Sequence, residues 1–84
     1  MSTDALEPRI RTILVEHGRL GADALTIDAT ADLYEAGMSS HASVNVMLAL
    51  EGGFGIEFPD HMLKRSVFTS ITSIRRALDE LIAP

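Results

Sequence analysis

Cysteine and tryptophan are both missing from the 84 residues, and tyrosine occurs once. Without cysteine there is neither a disulfide framework nor a thiolate metal site. A chain this short buries roughly 60–65% of its unfolded surface, so its stability has to come from packed Leu, Ile, Val, Ala and Met. Positive charge is also scarce: seven Lys and Arg stand against twelve Asp and Glu, a net charge of −5. Only Lys64-Arg65 and Arg75-Arg76 are adjacent basic pairs, which argues against nucleic acid, whose binding needs clustered cations. An acidic surface suits partners with basic docking patches instead. No stretch approaches the ~18 uninterrupted apolar residues of a membrane span, and the opening MSTDALEPRI has no apolar h-region. The expectation is a cytoplasmic monomer with a single domain over residues 1–84 and no nucleic-acid or membrane partner.

What is present is helical periodicity. In TDALEPRIRTILVEHG, Thr3 or Asp4 can cap a helix, and Pro8 is tolerated only in its first turn, which sets the start near Glu7. Leu6, Ile10, Ile13, Leu14 and His17 form one continuous stripe, and Gly18 offers a stop. Residues 19–39 have no sustained period, but Leu20, Leu25, Ile27, Leu33 and Tyr34 predict a connection lying against the core, with a helical turn at 33–36. SHASVNVMLALEGGFG is the second helix, with Val44, Met47, Leu48 and Glu51 on one side, Val46 and Leu50 widening the apolar surface, and Gly52 and Gly53 ending it. Residues 60–65 suggest a brief third helix. Ser70 then caps a last one, whose buried stripe is Ile71, Ile74, Leu78 and Leu81. The fold expected is an all-α bundle of four helices, three longer and one short.

Few residues suggest chemistry. His17, His41 and His61 stand far apart with no ligand partner at i+4 and read as surface or boundary residues. Asp28, Asp32 and Glu35 read as a solvated loop face, and the glycines at 52, 53 and 55 lack the lysine and spacing of a phosphate loop. That leaves Ser39 and Ser40 at the start of the second helix. One of them suffices as an N-cap, worth about 1 kcal/mol. The other sits where orphan N–H groups and the positive end of the helix dipole favour an attached anion such as a phosphate ester.

The segment DLYEAGMSSHASVNVMLALEGGFGIEFPD, residues 32–60, resembles acyl carrier proteins and the related peptidyl and aminoacyl carrier domains. Their pattern is D-L-x-x-x-G, a hydrophobic residue, D-S-L, an apolar helix ending in L-E, then F-G-I-E, a hydrophobic residue and P-D. The flanking amphipathic helices extend the resemblance over nearly the whole chain. It implies that a phosphopantetheinyl transferase attaches 4′-phosphopantetheine from coenzyme A to the serine of D-S-L, and that the arm's thiol then holds an acyl or aminoacyl thioester. In that register Ser40 is the modified serine, Ser39 stands for the aspartate and His41 for the leucine. Attachment at Ser39 would put Val44, Leu48 and Phe54 out of phase.

The resemblance therefore implies a non-catalytic, stand-alone carrier. A ligase or acyltransferase loads it, and it serves downstream enzymes through a docking surface of Met38, Ser39, His41, Val44, Asn45, Leu48 and Glu51. The carriers of fatty-acid synthesis have a strongly acidic second helix, whereas here Glu51 is its lone acid. The expectation is a carrier for a specialised pathway. The alternative is a non-enzymatic helical interaction module in which both serines are structural.

Overall fold

Proline at position 8 fixes where the first helix can begin. The computed structural model describes residues 6–21 and 23–82, and in it α1 runs Leu6–Ile13 with Pro8 in its first turn. The candidate caps Thr3 and Asp4 lie outside the described residues. The helix continues into a π-type turn, Leu14–Gly18, and ends on Arg19 in the left-handed conformation (φ 53°, ψ 43°). The stop thus falls one residue later than Gly18, which is itself buried against Leu14 and Leu20. Leu6, Ile10 and Leu14 are buried as the stripe requires, whereas Ile13 and His17 are half-buried at its margin.

α2 spans Ser40–Phe54 and α3 spans Ile71–Ile82. The brief helix expected at 60–65 is instead two 3-10 turns, Asp60–Met62 and Arg65–Val67. Leu63 and Lys64 leave the helical region between them, at φ −85°, ψ 67° and φ −143°, ψ 156°. No strand occurs among the described residues. α1 packs against α2 and α3, and its terminal π-type turn makes the main contact with α2.

α2 does not stop at Gly52 and Gly53. It runs two residues past Gly52 to Phe54, and the left-handed terminating conformation is adopted at Gly55 (φ 65°), whose N–H, with that of Ile56, donates to the Glu51 carbonyl. Arg9 of α1 reinforces this end: its guanidinium donates to the Gly53 carbonyl and lies 4.0 Å from the centre of the Phe54 ring. A cation at the negative end of a helix is favourably placed. The buried side of α2 is Ala42, Val46 and Leu50. Val44 and Leu48, expected on the same side as Met47, are about half exposed at 49% and 55%.

The long connection lies on the core, as its scattered apolar residues imply. Ala24 and Leu33 are buried, and Leu20, Ile27 and Tyr34 are partly buried against the core. Leu25 is the exception and is exposed. Polar anchors hold the path: Arg11 donates to the carbonyls of Ala24 and Ile27 at 3.0 and 2.7 Å, and Thr72 donates its N–H and hydroxyl to Ala29. Within it, the Thr30 hydroxyl and N–H hold the Asp28 carboxyl below its usual range. Ser70 and Ser73 cap α3 reciprocally, each side-chain oxygen accepting from the other residue's N–H.

Gly52 is exposed inside α2, and a Cβ added there meets no atom within 4 Å. Gly52→Ala is therefore expected to stabilise the fold by about 0.5–1 kcal/mol. In a domain of this size that raises Tm by about 2–8 °C in a thermal melt followed by circular dichroism.

Candidate functional site

The approach to α2 is built by the residues 32–37. Asp32 Oδ1 accepts from the N–H of Tyr34 at 2.9 Å and of Glu35 at 3.3 Å, so this acid opens the turn rather than serving as a solvated loop face. Leu33 is fully buried, its N–H donates to the Thr69 carbonyl at 2.7 Å, and its carbonyl accepts from Met38 at 3.0 Å. Gly37 ends the turn at φ 118°, a conformation that side chains resist. A Cβ there would also come within 3.0 Å of the Gly21 nitrogen.

The two serines now separate. Ser39 is the N-cap of α2 (φ −76°, ψ 166°), with its hydroxyl oxygen accepting from the Ala42 N–H at 3.0 Å. Ser40 is the first residue of the helix and exposed. Among the described residues its hydroxyl has no hydrogen-bond partner, while its carbonyl accepts from the Ser43 hydroxyl. The first-turn N–H groups at Ser40 and His41 have no intrahelical acceptor.

Ser40 opens onto a groove of about 360 Å³ between α2 and the segment carrying the two 3-10 turns. Val44, Met47, Leu63 and Phe68 supply its apolar lining, and Tyr34, Lys64 and Arg65 complete it. The residues read from the sequence as site residues did not include Tyr34, Met47, Leu63, Lys64, Arg65 or Phe68. Two signals were available for some of them. Val44 and Met47 lie four and seven residues beyond Ser40 on one helix face, and Lys64-Arg65 is one of two adjacent basic pairs.

Of the candidate docking residues, His41, Val44 and Leu48 are exposed and Asn45 is half-buried, all on the outward side of α2. Ser39 is exposed but engaged as the cap. Met38 is a correction: it is 2% exposed and part of the core, because the residue following Gly37 turns inward beside Leu33. Glu51 is a second one. It is half-buried, and its Oε2 accepts from the Phe58 N–H at 2.9 Å, so its carboxylate organises the chain leaving α2. No group of three or more metal-ligating side chains occurs among the described residues.

The family model described as a phosphopantetheine attachment site matches residues 9–80. An aminoacyl carrier protein from Agrobacterium fabrum strain C58 is 52% identical over 65 residues, 77% of this chain and 78% of that protein. The Agrobacterium tumefaciens carrier protein, crystallised with ATP and an engineered Bradyrhizobium japonicum glycine:[carrier protein] ligase, is 45% identical. It superposes with a TM-score of 0.87 over 90% of this chain and 99% of that one. The glycylated carrier protein in a complex with B. japonicum glycine:[carrier protein] ligase is 31% identical, with a TM-score of 0.62 over 82% and 96%.

The chain belongs to the phosphopantetheine-dependent acyl and aminoacyl carrier protein family.

The cofactor of this family is 4′-phosphopantetheine, and the carrier's residues at the start of α2 fit it. An exposed, uncommitted hydroxyl stands at a helix N-terminus, beside a groove with both apolar and cationic walls. No helix among the described residues is long and apolar enough to cross a membrane.

The unequal roles of the two serines have a measurable consequence. Ser39→Ala is expected to cost about 1 kcal/mol through loss of the cap. Ser40→Ala is expected to change stability by less than about 0.5 kcal/mol. Urea unfolding of the unmodified proteins compares the two.

Proposed function

We propose that this carrier holds an aminoacyl group on a 4′-phosphopantetheine arm attached to Ser40. An amino-acid ligase loads it, and it presents the group to downstream enzymes. The observation that carries this reading is the division of labour at the head of α2: Ser39 satisfies the cap and Ser40 keeps a free, exposed hydroxyl. The aminoacyl assignment draws support from relatives named as an aminoacyl carrier protein and as carriers crystallised with glycine:[carrier protein] ligases.

The arm supplies a thiol on which an acyl group is held as a thioester; the protein's part is attachment, orientation and docking. The Ser40 hydroxyl is the nucleophile that a phosphopantetheinyl transferase would use. Its oxygen would lose its proton and bond to the pantetheine phosphorus of coenzyme A as the phosphoanhydride bond breaks and the adenosine bisphosphate half leaves, the serine oxygen ending in the phosphodiester. His41, Val44, Asn45 and Leu48 form the docking ridge beside it, spaced to share one helix face. Because the carboxylate of Glu51 is committed to Phe58, α2 offers a partner apolar surface in place of an acidic stripe. Partners selected by basic patches would bind it weakly. That favours a specialised pathway over general fatty-acid synthesis.

Intact masses test the attachment. Wild type incubated with coenzyme A and a phosphopantetheinyl transferase should gain the mass of one arm, and Ser40→Ala should gain none. No gain by wild type across several transferases would overturn the carrier reading, and modification of Ser40→Ala would move the site to Ser39.

The docking ridge is tested on the modified protein with a glycine:[carrier protein] ligase, ATP and glycine. Leu48→Ala should raise the KM for the carrier about fivefold, equivalent to ~1 kcal/mol, with kcat and the melting curve little changed. Unaltered KM would exclude Leu48 from the interface.

A further inference from the structure

The groove at Ser40 has a charge unlike that of the chain as a whole. The protein carries a net charge of −5, yet the groove lining includes Lys64 and Arg65 and no carboxylate. Among the described residues neither cation is in an ion pair. Arg65 is also held in place. Its guanidinium carbon lies 3.9 Å from the centre of the Tyr34 ring. Its carbonyl accepts from the Phe68 N–H at 3.0 Å and the Thr69 hydroxyl at 2.8 Å. The Thr69 carbonyl in turn accepts from Leu33, so Tyr34 and Arg65 sit on two segments joined by a hydrogen bond next to the base of α2.

Stacking on an aromatic ring uses the face of a guanidinium and leaves its in-plane N–H donors free. Those donors form a planar fork matched to two oxygens of a phosphate. Lys64 adds a point charge on the same wall.

Building on the assignment of the arm to Ser40, we propose that Arg65 and Lys64 receive the phosphodiester of the Ser40 arm. The pantetheine portion then lies along the groove of Val44, Met47 and Phe68. Arg65 is the principal contact and Tyr34 positions it. Both cations are exposed, so the hold is salt-sensitive and reversible. It is a resting position from which a partner enzyme draws the arm.

The test uses unmodified and modified protein, with modification verified by intact mass. Backbone amide shifts are compared between the two forms, and the rate at which the arm's thiol reacts with a disulfide reagent is measured. The protein has no cysteine, so the arm's thiol is the sole reporter. In wild type at low salt, shift differences should extend beyond residues 39–42 to Tyr34, Met47, Lys64, Arg65 and Phe68. They should shrink in 0.5 M NaCl as screening shortens the reach of the two cations. In Arg65→Gln the distant differences should collapse and the thiol should react about three to five times faster. Arg65→Lys should behave in between, since charge survives and the fork does not. Arg75→Gln, a charge change on α3, should resemble wild type. Differences confined to 39–42 at low salt, or distant differences that persist in Arg65→Gln, overturn the proposal. The salt series on wild type decides the matter even where a variant resists modification. Absence of an arm by mass would instead overturn the Ser40 assignment, a separate result.

Discussion

The backbone of Leu33 is the joint on which the site depends. Its N–H is tied to Thr69, its carbonyl to Met38, and its side chain is fully buried. Through these contacts the turn before α2 is fastened to the segment before α3. Ser39 and Ser40 therefore emerge at a fixed place relative to Lys64, Arg65 and Phe68. Three features of the sequence make this joint possible. Asp32 opens the turn by accepting two amide protons, Leu33 anchors it, and Gly37 reverses the chain where a Cβ would strike Gly21. The D-L-x-x-x-G pattern is thus a set of folding instructions for the approach to the serine, with no chemical role of its own.

Much of this was legible in the sequence, because helix caps and stripes are local. The all-α class and most of the stripes of α1 and α3 followed from periodicity, although Ile13, His17 and Leu81 are only half-buried and the buried Ala77 was not among the residues expected. The register that puts Ser40 at the family's serine position leaves Ser39 for the cap it forms. The failures share a cause in tertiary packing. α2 is apolar nearly all round, so its composition does not say which side faces inward; packing into the common core buries Ala42, Val46 and Leu50 and leaves Val44 and Leu48 exposed on the other side. Gly52 and Gly53 looked like a stop, but α2 persists through them with Arg9 clamping its final turn from another helix. The groove was largely invisible for the same reason, since Tyr34, Met47 and Arg65 come from three segments that only the fold brings together.

Electrostatics then divides the surface into two jobs. Glu51, the single acid of α2, bonds to Phe58 and helps turn the chain toward the 3-10 segment. The outer face of α2 keeps His41, Val44, Asn45 and Leu48, a surface on which desolvation of apolar groups outweighs charge pairing. Two of the cations, Lys64 and Arg65, line the groove onto which Ser40 opens. On the proposed assignment a partner at that face would meet neutral side chains, and an anion attached to Ser40 would meet Lys64 and Arg65.

A shuttle sets a narrow range for how firmly its arm is held. An arm with no contacts leaves the thiol and its cargo open to solvent, and an arm locked in a dry pocket cannot be surrendered to a partner enzyme. Exposed ion pairs contribute about 0–1 kcal/mol and phosphate contacts with a stacked arginine somewhat more. A hold of that magnitude would bias an arm on Ser40 toward the groove several-fold without trapping it. On the groove lining Lys64 and Arg65 are exposed, whereas Met47 is half-buried and Phe68 is buried. Such a partly exposed lining suits the proposed shuttle. A shuttle would need a contact weak enough for a docked enzyme to outcompete, and two solvated cations beside a free serine would provide one.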